Sequence, residues 1–205
     1  MTPDAKFVFT TSLTQNLAPL TMRPVGAGQP RELDLGGVVA NIAPGQHLSC
    51  SSDGRRVAFT GTKPGAGRAA YVMELDGGVP HAVSSEGATS AVISPDGSKV
   101  VVGDPKLGPY VVSAAGRVPV PGASKNDMPL AWSSDGCCIL SSDGTLPLRI
   151  YRTALSGGHR ELVRELVSPD PAGIIYGWLT LSPDGRFYLQ RYRRVLSDVY
   201  LVTLK

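Results

Sequence analysis

The chain has 205 residues, of which 42 % are hydrophobic and 18 % charged, with 24 glycines and 17 prolines. One residue in five is therefore unfavourable inside a helix, which excludes a helical bundle, yet the fraction stays below the roughly 25–30 % that marks low-complexity disorder. The net charge of +3 has no like-charge block beyond Arg191, Arg193 and Arg194, too weak a field for nucleic acid or an anionic membrane. A folded, turn-rich, all-β chain is expected, short enough to be one domain.

The N-terminal Met-Thr-Pro-Asp-Ala-Lys lacks a basic flank followed by an apolar stretch, and no run approaches the roughly 18 apolar residues of a membrane span. The expectation is a soluble chain with no export signal, its compartment open. Cys50, Cys137 and Cys138 cannot all pair, and adjacent cysteines rarely bridge, so no disulfide framework is implied.

In chain order, the first signal is Thr2 to Ala5, the weakest copy of a turn that recurs with glycine in last place at Ser51 to Gly54, Ser94 to Gly97, Ser133 to Gly136 and Ser182 to Gly185. The aspartates at 4, 53, 96, 135 and 184 are separated by 49, 43, 39 and 49 residues, a mean of 45. Before four of these turns an apolar residue stands three positions ahead of the aspartate (Cys50, Ile93, Trp132, Leu181) and another five ahead (Leu48, Ala91, Leu130, Leu179). That is the period-2 pattern of a strand with a buried face. Four positions after the aspartate, Val57, Val100, Ile139 and Tyr188 open a second strand. Asp-Gly between two such runs signals a hairpin, because glycine accepts the positive φ of a tight turn and aspartate bonds its own backbone. The structural turn residues are thus Asp53, Gly54, Asp96, Gly97, Asp135, Gly136, Asp184 and Gly185.

A third strand carries Tyr71, Tyr110, Tyr151 or Tyr200, followed in three units by a further turn at Asp76-Gly77-Gly78, Ala114-Ala115-Gly116 and Ser156-Gly157-Gly158. Leu35-Gly36-Gly37, after a strand over Arg31 to Leu35, holds the equivalent place in the first unit. A short fourth strand follows, as in Val79 to Val83 or His159 to Val163. Four antiparallel strands in about 45 residues match a propeller blade. The units run over about 1–46, 47–88, 89–128, 129–175 and 176–205 of a single domain. A β-solenoid is disfavoured because hairpins within a unit require antiparallel pairing, while a β-sandwich with similar turns is the remaining alternative.

At these residues the chain resembles the TolB-type, WD40-like (PD40) propeller repeat, most closely at Ser94-Pro95-Asp96-Gly97-Ser98-Lys99 and Ser182-Pro183-Asp184-Gly185-Arg186. The resemblance covers nearly the whole chain and implies a β-propeller of four to five blades; it does not specify function. Gly158 to Leu162, Asp170-Pro171-Ala172-Gly173 and Tyr192 to Val202 are similar to the end of the C-terminal propeller region of bacterial eukaryotic-like serine/threonine protein kinases. Similar ends occur in bacterial winged-helix regulators. This implies a sensor or interaction module in a larger bacterial signalling protein. The kinase motifs themselves, a Gly-x-Gly-x-x-Gly loop with Val-Ala-x-Lys, His-Arg-Asp and Asp-Phe-Gly, do not occur, so phosphoryl transfer is not an expected activity of this chain.

His47, His81 and His159 lie in different units without metal-ligand spacing, and no Gly-x-Ser-x-Gly elbow supplies a nucleophile. No catalytic residue, metal or cofactor is expected. Of Cys137 and Cys138, at the opening of a strand, one is expected to face the core and one not. Arg191, Tyr192, Arg193 and Arg194 combine three cations with an aromatic, a candidate contact for a carboxylate, phosphate or partner surface, or else the solvated turn between the second and third strands of the last unit. Trp132 occupies a core position, whereas Trp178, in the connection after Leu166, is the better candidate for an exposed aromatic.

The leading expectation is a non-catalytic propeller module that binds a protein or small ligand. The alternatives are a propeller-type lyase or hydrolase acting at the central channel, or a structural fragment that self-associates through open blade edges. The phase bears on that last point. Thr2 to Ala5 is already the turn after a first strand, and Lys205 follows a third strand. The expectation is a five-blade-like arc with an open edge, or a segment of a larger propeller.

Overall fold

The computed structural model describes residues 1–11, 19–41, 48–182 and 187–196, and among them every regular element is a β-strand. The first sheet holds β1 (Phe7–Thr10), β2 (Thr21–Pro24) and β3 (Arg31–Glu32). In the second, β4 (Val39–Ala40) and β5 (Ser49–Cys50) both pair with β6 (Arg56–Thr62), which continues to β7 (Arg68–Glu74) and β8 (His81–Ala82). The third runs β9 (Ser90–Ile93), β10 (Val100–Gly103), β11 (Tyr110–Ser113) and β12 (Gly116–Pro119). The fourth runs β13 (Met128–Trp132), β14 (Cys138–Ser142), β15 (Leu148–Ala154) and β16 (Arg160–Leu166). Described residues of the fifth form β17 (Ile174–Leu181) and β18 (Tyr188–Arg194).

All pairings are antiparallel, and the turn sets one register in four copies: Cys50↔Val57, Ile93↔Val100, Trp132↔Ile139 and Leu181↔Tyr188. The five sheets stand as the blades of a propeller whose ring is not closed. The all-β fold, the blade count and the open ring agree with the sequence reading.

Alternation along each strand divides its side chains between the two neighbouring blades. On β6, Val57 and Phe59 join Leu20, Leu33 and Tyr71 between the first and second sheets, while Ala58 joins Ile93, Val100 and Val102 between the second and third. On β10, Val100 and Val102 face backwards and Val101 faces forwards, onto Val120, Trp132 and Ile139. Leu130, Leu148, Leu166 and Leu179 fill the space between the fourth and fifth sheets. The interior is therefore a series of sheet-on-sheet layers, each a hydrophobic contact that neither sheet could make alone. Phe59, fully buried, lies against Tyr71 with ring centroids 5.9 Å apart.

Two expectations for the last unit are corrected. Arg191 to Arg194 lie within β18 rather than in a turn, and Trp178 lies within β17, half-buried rather than in an exposed connection. Tyr188 opens β18, as expected, with its side chain 44 % exposed. Asp184, Gly185, His47 and Tyr200 lie outside the described residues.

Candidate functional site

The turns that enter the second strand of each blade share one hydrogen-bond plan. The residue 51 amide donates to Arg56 O at 2.9 Å and the Gly54 amide to Ser51 O at 2.9 Å, closing a five-residue loop around the turn. Inside it the Ser51 hydroxyl donates to Asp53 Oδ1 at 2.6 Å and accepts the Arg56 amide at 3.0 Å, while Asp53 Oδ1 accepts the Arg55 amide at 3.0 Å. The same contacts recur around Ser94 and Asp96, around Ser133 and Asp135, and around Thr2 and Asp4. Ser182 keeps the outer part of the plan, with its hydroxyl accepting the Phe187 amide at 3.0 Å.

These hydrogen bonds go to the charged form of the carboxylate and so lower its pKa. Asp4 and Asp53 are held below the usual range by the Thr2 and Ser51 hydroxyls first and by a backbone amide second, and Asp96 is brought to about 2 by Ser94 and Ser98. Asp4, Asp53, Asp96 and Asp135 are thus committed to their turns by these hydrogen bonds. Adjacent turns also join: the Ser52 amide donates to Pro95 O at 2.8 Å, and Arg56 Nη1 reaches Gly97 O at 3.1 Å.

The strands that precede the turns in the second to fifth sheets, together with β1, border a cavity of about 480 Å³ to which all five sheets contribute. Its apolar wall takes Phe9 from the first sheet, Leu48 from the second, Ile93 from the third, Leu130 and Trp132 from the fourth and Leu181 from the fifth. Met1, Thr2 and Pro3 line it beside the first sheet. Hydroxyls of Ser49, Ser52 and Thr180 and the thiol of Cys50 supply its polar character. Several of these are already engaged. Ser49 Oγ accepts the Ile93 amide at 2.7 Å, and the Trp132 indole N–H donates to Val92 O at 2.8 Å, which fixes the ring and ties neighbouring blades together. Burial pushes the Cys50 thiol up to about 11, so it stays neutral across the physiological range.

The sequence reading did not identify this cavity. Its signal was nevertheless present: Leu48, Cys50, Ile93, Leu130, Trp132 and Leu181 are the residues three or five positions before each aspartate. A strand that precedes every turn of a repeating blade is the inner one, and part of its apolar pattern faces the axis rather than a neighbouring sheet.

A smaller cavity of about 200 Å³ lies between the first two sheets beside Asp4, Asp53, Asp76 and Arg31. Arg31 is anchored there, Nη2 donating to Leu75 O at 2.5 Å.

The structure brings together only part of the C-terminal candidate set. Trp178 and Arg191 are cross-strand partners, with the guanidinium carbon 5.4 Å from the ring centroid, a cation–π geometry. They share a face of the fifth sheet with Thr180 and Leu189, opposite the face that packs on the fourth. Arg194 lies 5.8 Å from the Tyr192 ring and is held by Asp170, through Oδ2 at 2.7 Å and the carbonyl at 2.6 Å. Arg193 pairs in register with Tyr176.

Cys137 is exposed and Cys138 buried, as expected. His81 is exposed on β8, and His159 lies 3.8 Å from Glu161. Among the described residues no group of three or more His, Cys, Asp or Glu is placed to hold a metal ion, and no helix is long and apolar enough to cross a membrane.

No protein-family model matches the chain, and no curated protein matches it by sequence. Solved structures do match. TolB from Acinetobacter baumannii superposes with a TM-score of 0.65 at 17 % identity, over 93 % of this chain and 52 % of that one. A TolB-assigned protein from Agrobacterium tumefaciens gives 0.66 at 19 % identity, over 95 % and 73 %. An oligogalacturonate lyase from Vibrio parahaemolyticus gives 0.51 at 11 % identity, over 90 % and 59 %. This chain thus spans about half the length of the Acinetobacter protein. At these identities the likeness is one of fold: the chain is a TolB-like β-propeller in architecture.

Proposed function

We propose that the chain is a non-catalytic binding module that holds a protein segment or small ligand in its axial cavity. The observation that carries this reading is the cavity itself, about 480 Å³ with apolar walls drawn from all five sheets. Apolar burial in a concave site, with a few hydroxyls to orient the ligand, is the usual basis of such binding. The sequence likeness of Gly158–Leu162 and Tyr192–Val202 to the propeller ends of bacterial kinases supports placing the module in the C-terminal part of a larger signalling protein. Reading the coding sequence upstream of Met1 for an in-frame kinase domain tests that placement.

A library of small apolar fragments and short peptides, titrated into methyl-labelled protein, tests the binding reading. Shifts that converge on Val92, Ile93, Leu130 and Leu181 support it; shifts scattered over the outer strands, or none, contradict it. The lyase neighbour motivates a parallel assay with oligogalacturonate. Turnover that stops when the cavity is filled by substitution would replace binding with catalysis.

A further inference from the structure

The fourth turn carries two adjacent thiols that the axial cavity does not use. Cys137 sits in the bend before β14 opens at Cys138, so strand alternation does not force the two side chains apart. Their sulfurs are 3.1 Å apart, inside the ordinary contact distance of two sulfurs. One is exposed and one is buried. The exposed thiol donates to Asp135 Oδ2 at 3.0 Å. The thiolate is the form that attacks a disulfide, and the Asp135 carboxylate first and the neighbouring thiol second hold the Cys137 thiol above its ordinary pKa, so the exchange runs faster at alkaline pH. Solvent access on one sulfur and direct contact between the two are what a two-step exchange requires.

We propose that Cys137 and Cys138 form a reversible oxidation site that takes a low-molecular-weight disulfide, such as oxidised glutathione, as its electron acceptor. Cys137, after losing its proton to solvent, attacks the small disulfide, forms a mixed disulfide and releases one small thiolate. The Cys138 thiolate then attacks Cys137 Sγ, forms the vicinal disulfide and expels the second small thiolate. The two protons lost by the cysteines are taken up by the two departing thiolates, so two protein thiols are oxidised and one small disulfide is reduced to two thiols.

Consecutive Cα atoms lie about 3.8 Å apart across a trans peptide, closer than the usual span of a disulfide. The product ring is therefore strained and readily reduced, which makes the site reversible rather than a structural bridge. Ring closure also withdraws the S–H that Asp135 accepts and so loosens one contact of the turn. Cys50, neutral and half-buried in the cavity wall, serves as an internal control.

The test uses the full chain, fully reduced and then incubated with oxidised glutathione. Free thiols are expected to fall from three to one. The tryptic peptide between Lys125 and Arg149, which contains only these two cysteines, should lose two hydrogens in mass, and dithiothreitol should reverse both changes. In Cys138→Ser the reaction should stop with glutathione held on Cys137. Three free thiols, a persistent glutathione adduct in the unsubstituted chain, a bridge to Cys50, or an unmodified Cys137 in Cys138→Ser would each overturn the proposal.

Discussion

Ala5 is the single non-glycine residue with a positive φ among the described residues, at +58°, while its counterparts Gly54, Gly97 and Gly136 stand at +70°, +72° and +68°. The left-handed conformation costs an L-residue about 1–2 kcal/mol, offset in part by the lower backbone entropy of unfolded alanine relative to glycine. Ala5→Gly is therefore expected to stabilise the fold by up to about 1 kcal/mol, read as a higher denaturant midpoint. The reverse change at the third turn, Gly97→Ala, should destabilise by about 1–2 kcal/mol, because strain is joined by contact of the new Cβ with Arg56 and Ser51, both at 3.3 Å. Equal midpoints for Ala5→Gly and its parent would show that the first turn is not built like the rest. The aspartate spacing made these turns legible, since the Asp-Gly pair carries its own conformational requirement. Which serine or threonine hydroxyl closes each turn was not legible, because that depends on the five-residue loop closing in space.

The turn aspartates also set a pH dependence at the scale of the blade. Asp96 titrates near 2 in the folded chain against an ordinary value of 3.8, so its contribution to stability is fully present above the unfolded value and is lost as pH falls towards the folded one. Asp4 and Asp53 shift in the same direction. Unfolding midpoints should therefore decline between about pH 5 and about pH 2, with a shallower decline in Asp96→Asn. An unchanged acid limb in that variant would contradict the hydrogen-bonded turn.

A different element is held by charge. Asp127 has no exposed side-chain surface and receives Arg160 at 2.9 and 2.8 Å, while the guanidinium lies 3.4 Å from the centroid of Tyr151. Asp127→Ala is expected to cost about 3 kcal/mol, and Asp127→Ala combined with Arg160→Met to recover part of that, because the loss comes chiefly from stranding a partly buried cation. A double variant no more stable than the single one would show that the pair is not the source of the loss.

Inner strands were legible from their alternation, as at Leu48 and Cys50 or at Leu130 and Trp132. In the last blade the opening of a strand at Tyr188 was legible but its extent was not, because β18, Tyr188 to Arg194, has no buried residue and shows no apolar period. An arginine-rich strand with little buried surface reads as a loop, and Trp178 was assigned to a connection for the same reason.

Across the whole molecule, repetition does the organising. The three middle blades bury both faces on their neighbours and the end blades one each, and the inner strands border a shared cavity. Among the described residues no strand pairs on the inner side of β1, and the ring of blades is not closed. The number of blades was legible from five aspartates. The cavity was not, because its walls combine residues up to about 180 positions apart.

The proposed binding site is the apolar cavity that all five blades border. Binding of the fluorescent probe anilinonaphthalene sulfonate to the parent chain and to Thr180→Trp, which places an indole in the cavity from the half-buried strand β17, tests it most directly. The account predicts saturable binding to the parent, at least about tenfold weaker in Thr180→Trp (about 1.4 kcal/mol) and unchanged in a variant at the exposed and distant Leu107. Equal affinity in the parent and Thr180→Trp would contradict it.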